Sequence, residues 1–239
     1  MMRATKRLLR SLSGSLFAGG CFLCRGPTGA TGSVLCDACE SDLPALPAAR
    51  CMRCALPCPP GVTACGRCLS SSPPFDATVA VFAYAFPADV LVHALKFQGQ
   101  LAIAPLFGRR LLAQLAPDER VDVLAPVPLS PARMRARGYN QALEIARGLS
   151  SAAVRIDAQL IERTRDTPAQ SDLPWAERAR NMRGAFRCRG SLAGARVAVV
   201  DDVMTTGATL SEIASVLKSA GAAQVFNWVA VRTLPPAEL

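Results

Sequence analysis

The sequence predicts an α/β protein in which a parallel sheet flanked by helices follows a small cysteine-rich module. Short runs of Ala, Val and Leu alternate with stretches whose apolar residues recur at helical spacing, as in strand–helix–strand units. Nine of the ten cysteines lie between positions 21 and 68, apart from that alternation. We therefore expect a basic amphipathic segment over residues 1–20, a metal-binding module over residues 21–72 and an α/β domain over residues 75–239.

Length, charge and hydropathy narrow the class of protein. The 239 residues are enough for one α/β domain with a small appendage. The net charge of +9 suits a polyanionic ligand, such as a phosphorylated sugar or a nucleic acid, although an arginine-rich surface without such a role would carry the same charge. No apolar run approaches the roughly 20 residues of a membrane span, so we expect no transmembrane helix.

Residues 1–20 carry four basic residues and no acid, with leucines at roughly helical spacing. Serines and a glycine interrupt the apolar residues, whereas an export signal needs a continuous apolar stretch and a small-residue cleavage site. We expect a short amphipathic helix here, with weak contact with a membrane surface as the alternative.

The cysteines form four Cys-x-x-Cys pairs, which are typical of zinc sites with four thiolates. A segment of this size has little core of its own, and zinc would supply its folding energy. Sequential pairing gives the two predicted sites: Cys21, Cys24, Cys36 and Cys39, then Cys51, Cys54, Cys65 and Cys68. Crossed pairing stays open, and so does a disulfide scaffold, which would need an oxidising compartment. Cys58 and Cys188 stand outside these pairs.

The α/β region begins after a Ser/Pro-rich break at residues 70–74. The predicted elements are a strand over residues 77–85, helices over residues 90–97 and 101–115, a strand over residues 121–127 and a last strand over residues 224–231. A loop with free amides and arginines is expected over residues 133–142, ahead of a helix that runs to about Leu149. The only histidine, His93, lies on the first helix, where packing or capping is a more typical role than catalysis.

Residues 197–209 are the most informative part of the chain. A buried strand ends in two adjacent carboxylates, Asp201 and Asp202, and a Thr/Gly-rich turn then leads into a helix. Backbone N–H groups at a helix start bind anions, and a glycine lets the backbone approach a ligand closely. The residues expected to hold a phosphate are Thr205, Thr206, Gly207, Ala208 and Thr209. The two acids would accept from neighbouring hydroxyls, as a ribose presents them. The alternative is an ordinary strand–helix turn capped by Asp and Thr, and the absence of any G-x-x-x-x-G-K-[ST] pattern excludes a P-loop.

This order of strand, acid pair and Thr/Gly-rich loop resembles the type I phosphoribosyltransferase fold. The resemblance implies that phosphoribosyl pyrophosphate binds with magnesium (Mg²⁺) and places its ribose hydroxyls on Asp201 and Asp202. A second loop at the end of the preceding strand would hold pyrophosphate, near Val127, Pro128 and Leu129.

An arginine-rich stretch over residues 160–189 precedes the acid-pair strand. Long polar segments inside compact domains are often functional lids. We expect a lid that closes over the leaving pyrophosphate, with Arg163 or Arg165 contacting its oxygens. A solvated, charged connection is the alternative.

Further motifs make the chain similar to the ComF family over nearly its full length. They are the cysteine pairs, Leu95-Lys96-Phe97, Pro126-Val127-Pro128-Leu129, Arg137-Gly138-Tyr139-Asn140-Gln141, Arg165-Asp166-Thr167-Pro168-Ala169-Gln170 and Arg178-x-x-Asn181. The resemblance implies a zinc ribbon region fused to a phosphoribosyltransferase domain. It also implies a cytoplasmic protein of natural transformation, with association with the inner face of the membrane left open, and single-stranded DNA and DNA-uptake proteins as partners.

Two functions from different classes fit these residues. The first is a phosphoribosyltransferase whose catalytic residues are Asp201, Asp202, Arg163 and Arg165. Thr205 stands where purine salvage enzymes carry a further acid, so a purine acceptor suits the chain less well, and an amine or ammonia acceptor stays open. The second is a non-catalytic module that senses phosphoribosyl pyrophosphate or binds single-stranded DNA or a protein partner, although sparse aromatic residues argue against extensive base stacking.

Overall fold

The computed structural model describes residues 20–29, 33–116, 120–149, 154–165 and 182–235. The chain forms two compact units, Met1–Leu43 and Pro44–Leu239. The first four predicted zinc ligands belong to the first unit, whereas the other four share the second unit with the sheet. The amphipathic helix predicted over residues 1–20 lies outside the described residues except for its last position, and the predicted domain boundaries stay predictions.

The same short hairpin occurs once in each unit. The N–H of Cys21 donates to the carbonyl of Gly26 at 2.7 Å, and the N–H of Cys51 donates to the carbonyl of Leu56 at 2.7 Å. The residue after each of these Cys-x-x-Cys pairs has a positive φ, 64° in the first unit and 57° in the second. A five-residue helix carries the next pair in each case, α1 at Asp37–Ser41 and α2 at Gly66–Ser70. One local pattern therefore builds both halves of the cysteine-rich region.

A parallel sheet of five strands forms the centre of the second unit. The strands in chain order are β1 (Ala77–Ala83), β2 (Val123–Pro126), β3 (Arg155–Ile156), β4 (Ile161–Arg163), β5 (Phe186–Cys188), β6 (Arg196–Met204) and β7 (Gln224–Arg232). The sheet has the order β1-β7-β6-β2-β3, and β4 and β5 pair separately as an antiparallel ribbon. Val197 to Val200 on β6 are fully buried, as a central parallel strand requires. The α/β class and the parallel sheet predicted from the sequence are confirmed.

Five helices connect these strands within the described residues. They are α3 (Ala88–Phe97), α4 (Ile103–Leu112), α5 (Pro131–Arg137), α6 (Gln141–Gly148) and α7 (Ala208–Ser219). The loop predicted over residues 133–142 was wrong for its first half, which is helix α5. The Ser130 hydroxyl accepts from the N–H of Arg133 at 3.4 Å and Pro131 occupies the first turn, so a helix starts here. Gly138, with a φ of 79°, ends it.

The segment predicted to form a lid is described only at its two ends, in the ribbon β4–β5. In that ribbon Glu162 pairs with Arg187 at 2.6 Å and with Arg189 at 3.3 Å. The middle of the segment, residues 166–181 with Arg178 and Asn181, lies outside the described residues. Within the part of the chain that the structure describes, no helix is both long and apolar enough to cross a membrane.

Candidate functional site

Asp201 and Asp202 end the buried part of β6 and are themselves buried. The N–H of Asp202 donates to Oδ1 of Asp201 at 2.9 Å, and the N–H of Val203 donates to Oδ1 of Asp202 at 3.0 Å. The second oxygen of Asp202 meets the Nζ of Lys96 at 2.7 Å. The two acids are therefore fixed by their own backbone, with one cation beside them.

Lys96 is a candidate site residue that the sequence analysis did not single out. It lies in the last turn of α3, and its side chain is 23% exposed. Burial lowers the pKa of Lys96, but the charge and the hydrogen bond of Asp202, together with the charge of Asp201, outweigh burial and leave that pKa raised. The only signal in the sequence was its place in the Leu95-Lys96-Phe97 motif, because the ion pair depends on how α3 packs against the sheet.

The pKa values of the two acids move in opposite directions. Burial raises the pKa of Asp201, and the adjacent charge of Asp202 raises it further, well above its usual range. Burial also acts to raise the pKa of Asp202, but the charge and the hydrogen bond of Lys96, with smaller effects of Asp201 and Arg137, hold that pKa below its usual value. Because the two carboxyl groups are coupled, they titrate in two steps: the first proton leaves at low pH and the second only at a higher pH. A ligand that donates hydroxyls to the pair would meet one acceptor that is already ionised.

Residues 205–209, which we call the anion loop, connect β6 to α7. Gly207 has a φ of 84°, and a Cβ there would lie 2.7 Å from Cε of Met204. Among the described residues, the N–H groups of Thr205, Thr206 and Gly207 have no hydrogen-bond partner. The N–H of Ala208, expected to be free, instead donates to the Thr206 hydroxyl at 3.1 Å. Three donors at the start of a twelve-residue helix therefore remain for an anion.

The second predicted loop, at residues 127–129, follows the neighbouring strand β2. The N–H of Val127 donates to the carbonyl of Val200 at 2.9 Å, and the carbonyl of Val127 accepts from Nδ2 of Asn140 at 3.0 Å. Asn140 also caps α6, since its Oδ1 accepts from the N–H of Ala142 at 3.0 Å. Leu129 reaches the cleft described next, whereas the side chain of Val127 is buried. The Asn140 amide thus ties this loop to the start of α6.

A cleft of about 820 Å³ joins these parts. Its lining includes Asp201, Asp202, Thr205 and Thr209 on the sheet side, and Lys96 beside the acids. The remaining lining includes seven aromatic and basic side chains: Tyr84, His93, Phe97, Arg133, Arg137, Tyr139 and Arg163. The cleft therefore brings carboxylates and hydroxyls together with cations and aromatic rings.

The aromatic side of the cleft is organised around Phe97. The ring of His93 lies 4.9 Å from that of Phe97, centroid to centroid, and the guanidinium of Arg137 lies 5.4 Å from the Phe97 centroid. The packing role expected of His93 is consistent with this ring contact. Arg137 donates to Oε1 of Gln141, and burial lowers its pKa. These residues belong to α3, α5 and α6, so only the fold brings them together.

The two arginines predicted to contact pyrophosphate are placed differently. Arg163 contributes to the lining of the cleft, and its guanidinium lies 5.6 Å from the centroid of the Phe186 ring. Arg165 donates from Nη2 to the carbonyl of Arg183 at 2.8 Å and does not line the cleft. Of the two arginines, Arg163 therefore lines the cleft that contains the acid pair, and Arg165 does not.

The eight predicted cysteines form two groups of four, and within each group the sulfurs lie within 4.8 Å of one another. The grouping is sequential, as the simplest pairing predicts. Cys24 and Cys36 are 3.7 Å apart, and Cys54 and Cys65 are 3.5 Å apart, sulfur to sulfur. Four sulfurs about 2.3 Å from one ion lie roughly 3.8 Å apart, whereas a disulfide spans about 2.05 Å. Both groups fit a tetrahedral metal site, and Cys58 and Cys188 belong to neither.

Comparison with known proteins finds a family model that matches the α/β domain and relatives that align with most of the chain. Residues 105–233 match the family model described as phosphoribosyl transferase domain. The chain is 37% identical over 228 residues to DNA utilization protein YhgH of Escherichia coli O6:H1, covering 90% of this chain and 98% of that protein. It is 30% identical over 218 residues to competence protein F of Haemophilus influenzae, covering 87% and 94%. It is 28% identical over 183 residues to competence protein ComFC of Streptococcus pneumoniae, covering 77% and 75%.

Proposed function

The chain belongs to the phosphoribosyl transferase domain family, among the competence protein F and YhgH proteins, and on that premise we propose that it binds phosphoribosyl pyrophosphate with Mg²⁺ and transfers the phosphoribosyl group to an acceptor. The observation that carries the proposal is the common position of the acid pair and the anion loop. The acid pair lies on β6 and the anion loop follows that strand, and the acid pair lines one cleft together with Thr205 and Thr209 of the anion loop. A ribose 5-phosphate unit needs acceptors for two hydroxyls and donors for one phosphate, and the acid pair and the anion loop are groups of these two kinds.

Each group in the cleft has a distinct role in substrate binding. The ribose hydroxyls donate to the carboxylates of Asp201 and Asp202, and the 5′-phosphate accepts from the N–H groups of Thr205, Thr206 and Gly207. Lys96, which pairs with Asp202 beside the same cleft, would contact the diphosphate. Binding of both ends of the sugar fixes the position of the anomeric carbon relative to the acceptor. Such positioning is a large part of the rate gain at a site of this kind.

The bond between the anomeric carbon and the diphosphate oxygen breaks with oxocarbenium character, so the enzyme needs charge stabilisation and no protein nucleophile. Oxygen ligands and one or two carboxylates suit Mg²⁺, and the acid pair offers them. Bound Mg²⁺ would neutralise charge on the diphosphate. Lys96, Arg133 and Arg163 line the same cleft and would stabilise the negative charge of the departing pyrophosphate.

We further propose that both cysteine groups hold zinc. All four ligands in each group are sulfur, which Zn²⁺ accepts in closed tetrahedral sites. Such sites leave no position for water, so their role is structural. The names of the relatives support a role in DNA uptake or utilization, and we place the protein in the cytoplasm as part of this proposal.

A second candidate function is the binding of single-stranded DNA along the rim of the cleft, without catalysis. The observation that favours it is the exposure of aromatic rings beside cations: Phe97 is 67% exposed and Tyr84 is 44% exposed. Arg133 and Arg137 line the same rim. Exposed rings with basic neighbours are the usual platform for unpaired bases.

Calorimetric titration of phosphoribosyl pyrophosphate with Mg²⁺ tests the first proposal. We expect saturable binding by the wild type and loss of at least about a hundredfold in affinity in the Asp201→Asn/Asp202→Asn double variant, because charge-assisted hydrogen bonds to both hydroxyls are lost. Glu144→Gln is the matched control, since Glu144 pairs with Arg147 on α6 and does not line the cleft.

The outcomes separate the two candidate functions. Magnesium-dependent release of pyrophosphate in the presence of an acceptor, abolished in the double variant, establishes the transferase. Absence of binding by a folded, zinc-loaded wild type contradicts it. Salt-sensitive binding of an oligothymidylate that survives the double substitution and is lost in Phe97→Ala supports the single-strand module instead.

A further inference from the structure

Arg232, at the end of β7, is a fully buried cation. Among the described residues it forms no ion pair with a carboxylate. Its partners are backbone carbonyls: Nε donates to Cys54 at 2.8 Å, and the two hydrogens of Nη1 are shared among the carbonyls of Met204 at 2.9 Å, Thr233 at 2.8 Å and Thr205. A buried guanidinium is costly unless its surroundings compensate its charge.

The bond to Thr205 orients the anion loop. In a planar trans peptide the C=O and the next N–H point in opposite directions. A Thr205 carbonyl held by Arg232 therefore turns the N–H of Thr206 to the other side of the loop. Arg67 does the same one peptide later, since its Nη2 donates to the carbonyl of Thr206 at 3.1 Å and so turns the N–H of Gly207. These are two of the three donors that the anion loop presents.

Both arginines connect the anion loop to the second cysteine group, Cys51, Cys54, Cys65 and Cys68. Arg67 lies on α2 between two of these cysteines, and Arg232 bonds the backbone of a third. The Arg232 guanidinium is also close enough to the side chains of Cys54 and Cys65 to interact with them electrostatically. Four thiolates around a divalent ion carry a net charge of two minus, which would supply the countercharge that no carboxylate provides.

We propose that the second cysteine group, when it holds its metal, keeps the anion loop in its binding geometry through Arg232 and Arg67. Arg232 is a positioning residue: it touches no substrate and acts by fixing the peptide that presents the N–H of Thr206. Affinity for a phosphate therefore depends on a metal site outside the cleft. The inference rests on the proposed role of the anion loop in phosphate binding.

A matched pair of substitutions tests the coupling. Cys36→Ser and Cys65→Ser each remove the N-cap cysteine of a short helix, in the first and second group respectively. Three quantities are measured on the full chain: zinc content, affinity for ribose 5-phosphate by calorimetry, and amide hydrogen exchange over residues 204–210. Both variants should lose zinc. Only Cys65→Ser should lower the affinity, by about tenfold, and speed exchange in the anion loop.

Arg232→Lys covers the case in which Cys65→Ser does not fold. Lysine keeps the charge but has a single ammonium in place of the planar fork, so it cannot hold the same carbonyls. This variant should retain two zinc ions per chain and still lose about tenfold in affinity, with faster exchange over residues 204–210. A role in general stability alone would leave the exchange of that loop no faster than that of the rest of the sheet.

Two results overturn the inference. One is a Cys65→Ser variant that has lost zinc but keeps both the wild-type affinity and the wild-type exchange of the anion loop. The other is an Arg232→Lys variant with unchanged exchange over residues 204–210. Failure of the wild type to bind either ribose 5-phosphate or phosphoribosyl pyrophosphate instead contradicts the proposed function, and the exchange measurement then decides the coupling by itself.

Discussion

Asp201 and Asp202 are adjacent in the chain, yet their environments oppose each other. Asp202 has Lys96 at 2.7 Å, whereas Asp201 is buried next to the charge of Asp202. A raised pKa in the folded state means that ionisation of Asp201 costs folding free energy. Such an electrostatic cost is common where a site is built for a ligand and not for stability.

Asp201→Asn should therefore stabilise the ligand-free protein at neutral pH. The folded pKa of Asp201 lies above its unfolded value, so the wild type loses stability as pH rises from the unfolded pKa to the folded one, and the loss persists above it. The isosteric amide removes that loss, and we expect a gain of about 1–2 kcal/mol at pH 7. The gain should vanish below about pH 4, where the carboxyl is protonated in both states.

Urea unfolding of the two proteins between pH 4 and pH 8 measures this difference. Asp157→Asn is the control, because Asp157 pairs with the exposed Arg155 and should change stability by less than about 1 kcal/mol at any pH. A wild type that is more stable than Asp201→Asn at pH 7 would show that the ionised carboxylate is favourably bound in the folded protein, against the direction argued above.

The acids and the anion loop could be predicted from the sequence because their signal is local: strand, acids, glycine and helix follow one another within residues 197–209. Lys96 and Arg232 could not. Their partners are distant in the chain: Lys96 pairs with Asp202, and the bond from Arg232 to Cys54 spans 178 positions. Nothing in the neighbourhood of a lysine or an arginine in the chain reveals such a partner.

At the scale of the elements, four of the seven described strands (β1, β2, β6 and β7) and most helices were predictable from hydrophobic periodicity, because burial of one face or of both dictates the pattern. The strands β3, β4 and β5 were not predicted, since two or three residues are too few to show a period. The loop expected over residues 133–142 was wrong in its first half, since Ser130 and Pro131 start a helix just before it and Gly138 ends that helix. Capping chemistry decides such short helices. The arginines of α5 consequently stand on a helix beside the cleft.

The crossing of α4 and α6 gives the element-scale prediction. A Cβ on Gly108 would lie 2.6 Å from the carbonyl carbon of Gly148, so the two backbones touch where these helices meet. Gly108→Ala should destabilise the protein by about 1–3 kcal/mol through overpacking, although alanine is the better helix former. Because α6 begins at the Asn140 cap that holds the loop after β2, the substitution should also weaken substrate binding.

Thermal unfolding and calorimetric titration of Gly108→Ala measure these two effects. Gly66→Ala is the matched control: it is also a glycine within a helix, but a Cβ there meets no atom within 4 Å. Equal or greater stability of Gly108→Ala relative to the wild type would mean that α4 and α6 separate at no cost and that their close approach has no role in the site.

At the scale of the whole molecule, the two cysteine groups have the same local pattern but different surroundings. Three ligands of the second group, Cys51, Cys54 and Cys68, are buried within the hydrophobic core of the second unit, together with Phe75 and Met204. The first group belongs to the other unit. One cysteine group is therefore part of the core that supports the sheet, and the other belongs to a unit of its own.

Loss of metal should consequently have unequal effects on stability. Cys65→Ser should lower the midpoint of the main thermal transition by roughly 10 °C or more, because zinc binding energy at this site is folding energy of the core. Cys36→Ser, with an equal loss of zinc, should move that midpoint by less than about 2 °C. Differential scanning calorimetry with metal analysis of each variant measures both quantities. Equal shifts in the two variants would mean that the sheet depends on both groups alike, and the repeat in the sequence would then reflect one shared structural role.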